Sequence, residues 1–254
     1  YEKSSPEKPA AEPIRRIAAP DKDNVIVKIK DAGQGLRKEE GVRIPFTFLV
    51  IVSGGEKRER DYLKIIRNQH LFPRIKIEFV TDSSKLNPNG LLETAKDKRE
   101  RYKTSTEVPD DIFIVSDVDH FMDELLFIKP ECEKLNISLI ISNSCFEVWL
   151  YYVKFKDKPR DFSIPDDPLK ISQSFKKYID GKIKGGIDPR KVIFNICENI
   201  ENAKANYEED RNGIPKLFST NMFLLAEALL PFIEAELIRE KNKRERKAKK
   251  KNVR

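Results

Sequence analysis

Two aspartates, Asp117 and Asp119, follow directly after an apolar run that ends at Val115. In an extended segment the side chains alternate between two faces, so both carboxylates are expected on the same side. Mg²⁺ and Mn²⁺ prefer such oxygen ligands, and two or three carboxylates suffice because Mg²⁺ keeps several of its waters. A pair of these ions can hold the attacking and leaving oxygens of a phosphoryl displacement. The pattern predicts a metal site for phosphodiester chemistry, with capping of a helix near Phe121 as the alternative role of Asp119.

Four more residues next to apolar runs are candidates for the same site. Glu56 is predicted as a metal ligand and catalytic group, and Glu59 as a further metal ligand. Lys57, at the start of the next predicted helix, is predicted to stabilise the charge of the transition state. His120 follows the acidic pair and is a minor candidate for moving a proton, with a simple hydrogen-bonding role as the alternative.

Asn143 and Glu147 lie four residues apart in a segment that is otherwise apolar, CFEVWL in its centre. A carboxylate in such surroundings is expected to find a partner or a metal ion. One interpretation is that both residues contact and position the metal ligands, or bind the metal themselves. The alternative is that Glu147 binds backbone N–H groups at the start of a helix.

Apolar runs that alternate with helix-forming segments must position these side chains. Continuous apolar strands indicate burial on both faces, and strand–helix alternation predicts an α/β fold with a mostly parallel sheet flanked by helices. Ligands bind at the carboxyl ends of the strands in such sheets, which is where the acids stand. The strands are predicted at 46–52, 75–80, 112–115 and 137–141, and the helices between them at 56–69, 90–102 and 121–135.

No strand is predicted after residue 143, so the second half of the chain is an all-helical extension. Its helices are predicted at 146–155, 168–178, 189–204 and 221–240. The whole chain then divides into a flexible or loosely packed segment (1–43), the α/β core (44–155), the helical extension (156–238) and a basic tail (239–254).

The charge of the chain is concentrated at its end. The net charge is +7, but residues 239–254 hold ten Lys and Arg against two Glu, so the tail carries +8 and the remainder about −1. The tail either holds phosphates by counterion release or is a solvated helix end. The nearly neutral body favours a partner that presents the substrate, since an independent nuclease normally carries its own basic groove.

Composition and missing motifs exclude several classes of protein. The sequence contains no run of 18 consecutive apolar residues, so no membrane span is predicted. Its three cysteines are widely separated, which favours a reducing cytoplasm over a disulfide framework. The chain contains no GxxxxGK[ST] loop of an ATPase and no GxSxG of a serine hydrolase.

The segment from Gly55 to Glu59, together with Tyr62, resembles the GEKTE…Y segment of RloB-like proteins, and SNSCFEVWL at 142–150 resembles their SNPCFE-W-L segment. The order of apolar strand, Gly-Glu loop, helix and strand ending in DxD is similar to the TOPRIM catalytic domain. That domain is shared by topoisomerases, bacterial primases and nucleases of the overcoming-lysogenisation-defect family. The resemblance covers about residues 46–155. One departure is Gly54, which stands where TOPRIM proteins have a catalytic Glu.

The resemblance implies a Mg²⁺- or Mn²⁺-dependent nuclease that cleaves RNA, including tRNA, or DNA as the toxic effector of a bacterial anti-phage (abortive infection) system. It further implies a partner ATPase and leaves a homo-oligomer open. Two alternatives remain. Gly54 favours a non-catalytic docking or regulatory subunit of an ATPase complex, and the same metal pair also serves a nucleotidyl transferase.

Overall fold

The computed structural model describes residues 49–55, 57–68, 70–103 and 111–251, with the backbone alone for 102, 103 and 247–251. Four strands and eight α-helices form this part of the chain. In chain order they are β1 (Leu49–Ser53), α1 (Arg58–Leu63), β2 (Ile75–Phe79), α2 (Pro88–Lys103), β3 (Asp111–Asp117), α3 (Met122–Lys134), β4 (Ile137–Ser142), α4 (Glu147–Tyr151), α5 (Ile171–Lys182), α6 (Pro189–Val192), α7 (Ile196–Ala205) and α8 (Met222–Lys251). Short 3₁₀ turns cover Ser83–Lys85, Pro168–Lys170 and Ile193–Asn195.

The sheet is entirely parallel, with the strand order β2-β1-β3-β4. Ser53 at the end of β1 is level with Val115 of β3, and Asp117 is level with Ser142 of β4. From β1 the chain first moves outward to β2 and then crosses back to β3 on the other side. The carboxyl ends of β1 and β3 therefore form the topological switch point, where open α/β sheets leave a crevice for ligands.

The two faces of the sheet carry different helices. Leu49 and Ile51 of β1 point into the larger core, which takes in α1 and α4 together with residues of α5 to α8. Val50 and Val52 point the opposite way, into a core built with α2 and α3. This two-residue alternation follows from the pleat of the strand. The helical extension therefore packs on one face of the sheet and shares its hydrophobic core, with Trp149 fully buried in it.

The predicted α/β fold, with a parallel sheet flanked by helices and a helical extension, is confirmed. The first helix is shorter than predicted because the chain leaves the α-helix after Leu63 and continues in turns, with backbone N–H of Asn68 bonded to Ile65 O. The last helix continues through the basic segment as far as Lys251. Within the described residues, no helix has the length and apolar character needed to cross a membrane. The predicted segment 1–43 lies outside the described residues.

Candidate active site

A cleft of about 310 Å³ opens at the switch point between the carboxyl ends of β1 and β3. Its floor is formed by these strand ends, and its walls by the first turns of α1 and α4 and by α5. The polar side chains in its lining are Lys57, Arg58, Glu59, Ser116, Asp117, Glu147 and Lys176. Acidic residues from three separate elements therefore meet in the crevice where the fold predicts a ligand.

Asp117 is the last residue of β3 and faces the cleft. Burial by the surrounding protein raises the pKa of Asp117 well above its usual value, and the negative charges of Glu59 and Glu147 raise it further. The backbone N–H of Phe146 partly offsets this effect by favouring the ionised carboxylate. The positive charge of Lys176 also lowers the pKa of Asp117, but burial and the two acids outweigh it.

Glu59 is the second residue of α1 and turns back over the loop that follows β1. Burial raises the pKa of Glu59 to about 7, the backbone N–H of Glu59 itself opposes the rise, and the charge of Glu147 adds to it. Gly55 makes this position available, since a Cβ at Gly55 would lie 2.6 Å from Glu59 Cβ. Among the described residues neither Glu59 nor Asp117 forms an ion pair with a basic side chain.

Glu147, the first residue of α4, is held between two cations. Its Oε1 lies 3.6 Å from Arg58 Nε and its Oε2 lies 3.7 Å from Lys176 Nζ, while its side chain is only 8% exposed. Burial alone would lower the pKa of Lys176, but Glu147, Cys145 and the two aspartates raise it overall. Glu147 thus orients two basic groups at the rim of the cleft. Its partners among the described residues are therefore basic side chains.

Asp119 has left the extended conformation of β3. Its φ is 29°, its backbone N–H donates to Ser144 O at 2.9 Å, and its Oδ1 accepts from Ser172 Oγ of α5 at 3.0 Å. Phe121 occupies the N-cap position before α3, and no side chain caps that helix, so Asp119 does not cap it. Asp119 therefore anchors α5 beside the site. It does not extend the strand on the same side as Asp117.

The remaining predicted residues take different places. Lys57 lines the cleft. His120 is largely exposed, with Nδ1 at 3.5 Å from Asp119 Oδ2. Asn143 donates from Nδ2 to Pro215 O at 2.7 Å and so ties the end of β4 to a distant loop. Glu56 lies outside the described residues, and its role stays a prediction.

Two residues of α5, Ser172 and Lys176, reach the site without having been predicted. They are four residues apart and therefore share one face of the helix. The only sequence signal for them is this spacing on a partly apolar helix, which does not indicate what the face contacts. Arg58 is not among the predicted site residues, and in the structure it pairs with Glu147 at the cleft.

The acids of the cleft form a partial ligand set for a divalent cation. Within residues 49–55, 57–68, 70–103 and 111–251, no three Asp, Glu, His or Cys side chains come together as a ready ligand set. Glu59 and Asp117 remain as two hard oxygen donors in this cleft, where burial raises the pKa of both carboxyl groups. Mg²⁺ is commonly held by one or two carboxylates plus waters, so this pair fits Mg²⁺ and does not form an all-protein cage.

Comparison with known proteins gives one match. Residues 49–229, more than two thirds of the 254 residues, match the family described as RloB-like protein. No curated protein and no solved structure matches the chain. The matched range begins at β1, contains the whole sheet and cleft, and ends within α8. The chain belongs to the RloB-like family.

Proposed function

We propose that this protein is a Mg²⁺-dependent nuclease that hydrolyses phosphodiester bonds of RNA or DNA in the cleft between β1 and β3. The observation that carries the proposal is the pairing of Glu59 and Asp117, two carboxylates from separate elements whose pKa values are both raised. Burial disfavours the ionised form of both carboxyl groups, and a bound cation would favour that form. Perturbed acids in a cleft are characteristic of functional sites.

Each residue of the cleft has a role in this chemistry. Glu59 and Asp117 would hold Mg²⁺, and a bound Mg²⁺ supplies charge neutralisation at the phosphate and a more acidic water. Lys57 and Lys176 are placed to bind the non-bridging oxygens of the phosphate and to stabilise the extra charge of the transition state. Glu147 positions Lys176 by its ion pair.

Family membership supports the wider setting of this activity. The resemblance to RloB-like proteins implies a cytoplasmic effector of anti-phage defence that works beside a partner ATPase, and we include this role in the proposal. RNA, including tRNA, and DNA are both substrates to be tested. A partner that presents the substrate agrees with the charge of about −1 that remains outside the basic tail.

Metal binding and cleavage test the proposal together. Calorimetry with Mg²⁺ and Mn²⁺ should detect binding by the wild type and none by Asp117→Asn. Asp123→Asn, an exposed acid on the first turn of α3, is the matched control and should bind as the wild type does. Total tRNA, single-stranded RNA and plasmid should be incubated with each protein, with and without the partner ATPase. Cleavage that survives Asp117→Asn would refute the assignment.

A second function, a non-catalytic docking subunit, is favoured by one observation. A Cβ at Gly54, the position where a catalytic Glu is expected, would lie 3.1 Å from Leu86 O. A side chain at position 54 would therefore require Leu86 O to shift by a few tenths of an ångström. If the wild type binds no Mg²⁺ and cleaves nothing, yet still binds the ATPase, the docking function replaces the nuclease.

A further inference from the structure

A second recess lies on the far side of α1 from the carboxylate cleft. It has a volume of about 350 Å³, and we call it the α1–α6–α8 crevice after the three helices that form it. Four of its lining residues are cations and two are acids, so its formal charge is positive. Its charged lining consists of Asp61 and Lys64 with Asp188, Arg190, Lys191 and Arg244.

Three of the four cations in the crevice are available to an anion. Arg190 is engaged with Asp188, with Nε at 2.9 Å from Oδ1 and Nη2 at 3.2 Å from Oδ2. Lys64, Lys191 and Arg244 are exposed, and none of them forms an ion pair within the described part of the chain. Four cations against two acids leave an excess of positive charge on this concave surface, which favours an anionic ligand.

The basic end of α8 is held against the protein beside this crevice. Lys241 Nζ donates to Asn195 Oδ1 at 3.4 Å, and the guanidinium of Arg244 lies over the ring of Phe194 at 4.7 Å. Both contacts are made to the 3₁₀ turn that follows α6. The tail segment with a charge of +8 therefore begins as a docked helix that delivers Arg244 to the crevice.

Arg58 connects the crevice with the carboxylate cleft. Its Nε pairs with Glu147 in the cleft, and its Nη1 donates at 3.1 Å to the carbonyl oxygen of Ile187, the residue before Asp188 of the crevice. From Arg58 to Lys64 the chain advances six residues, roughly 9 Å at the rise of an α-helix. The residues that line the two recesses are therefore close enough for one oligonucleotide to contact both.

We propose that the α1–α6–α8 crevice holds the phosphate backbone of a nucleic-acid strand whose scissile bond lies in the carboxylate cleft. The inference rests on the proposed nuclease function and names a substrate-binding surface for it. Lys64, Lys191 and Arg244 each contact a phosphate, and the docked basic part of α8 extends the track. This arrangement assigns phosphate binding to the tail. The sequence alone did not distinguish that role from a solvated helix end.

The test is binding of a labelled single-stranded RNA, and of the same sequence as DNA, measured by fluorescence anisotropy in EDTA over a series of salt concentrations. The variant combines Lys64→Gln, Lys191→Gln and Arg244→Gln. Each phosphate contact contributes about 0.7 to the slope of log affinity against log salt for single strands. The slope should therefore become shallower by about 2, and the affinity at 0.1 M salt should fall roughly hundredfold.

A matched control removes the same charges elsewhere by Lys154→Gln, Lys156→Gln and Arg211→Gln. These three residues are also exposed and line neither the cleft nor the crevice. The proposal requires the control to keep the wild-type slope. It is overturned if both triple variants lose affinity equally, if the crevice variant binds as the wild type does, or if the wild type binds neither oligonucleotide.

Measuring in EDTA makes the test of the crevice independent of the test of the nuclease proposal. Without a divalent cation the measurement does not depend on Glu59, Asp117 or cleavage. Loss of binding in the crevice variant together with a wild type that never cleaves would support the crevice and refute the nuclease. If the wild type cleaves but the crevice variant binds RNA and DNA as well as the wild type does, only the crevice proposal is refuted.

Discussion

Replacing Glu59 by Gln should remove much of the pH dependence of folding stability between pH 5 and 8. Burial raises the pKa of Glu59 from 4.5 to about 7, so the folded protein binds this proton more tightly than the unfolded chain does. The stabilisation is fully present below about pH 4.5 and is lost as the pH rises through 7. Asp117, whose pKa is also raised, acts in the same direction.

The size of this effect follows from the shift of Glu59. One pKa unit corresponds to about 1.4 kcal/mol, so the change of roughly 2.5 units gives about 3 kcal/mol between pH 5 and 8. Exposed carboxylates whose pKa is lowered by a basic partner, such as Asp161 with a pKa of about 2, lose their charge below this window. These exposed carboxylates therefore do not contribute to the pH dependence of stability between pH 5 and 8, whereas the acids of the cleft do.

Urea unfolding followed by the fluorescence of Trp149 provides the measurement, because Trp149 is the single tryptophan and is fully buried. The wild type should lose stability from pH 5 to 8, and Glu59→Gln should lose clearly less. Glu93→Gln, at an exposed acid of α2, is the control and should follow the wild type. Mg²⁺ at a hundred times its dissociation constant should restore about 2.7 kcal/mol to the wild type at pH 8. A pH profile of Glu59→Gln that matches the wild type would refute the electrostatic argument.

Three further variants probe the support of the site and of the core. Gly55→Ala should weaken Mg²⁺ binding at least about tenfold in calorimetry, because the new methyl group displaces Glu59. Lys176→Met should lower kcat/KM of cleavage roughly a hundredfold while calorimetry still detects Mg²⁺, and a loss of Mg²⁺ binding instead would contradict a role in phosphate binding. Tyr152→Phe removes the buried donor that lies 2.6 Å from Phe218 O, and urea unfolding should show a loss of about 1–3 kcal/mol without a change in Mg²⁺ affinity.

The fold was predictable because its strands are almost uninterrupted apolar runs. Burial on both faces leaves no polar alternation in β1 and in the centre of β3, and this pattern is typical of a parallel sheet covered by helices. What the sequence does not contain is the assignment of helices to faces. That assignment depends on contacts such as those of α7 and α8 with the larger core, which join residues far apart in the chain.

Asp117 and Asp119 show where the two-residue alternation of side chains along a strand no longer applies. The period of two holds along β3 as far as Asp117, which is still level with Ser142 of β4. After Val118 the chain turns, and Asp119 takes a positive φ and bonds to Ser172, a residue 53 positions later. The strand extends two residues beyond its predicted end at Val115, as far as Asp117, while the second acid bonds to a helix that no local pattern connects with it.

Glu59 explains how this chain places a second carboxylate near Asp117 despite Gly54. At the end of β1 the space for a side chain is limited by Leu86 O, which would have to shift by a few tenths of an ångström to admit one. Glu59 approaches instead from α1 and uses the space left by the missing side chain of Gly55. The consequence is a carboxylate supplied from a helix and not from the strand end. Any cation bound by this pair would consequently depend on the position of α1, which Arg58 fixes through Glu147 and Ile187.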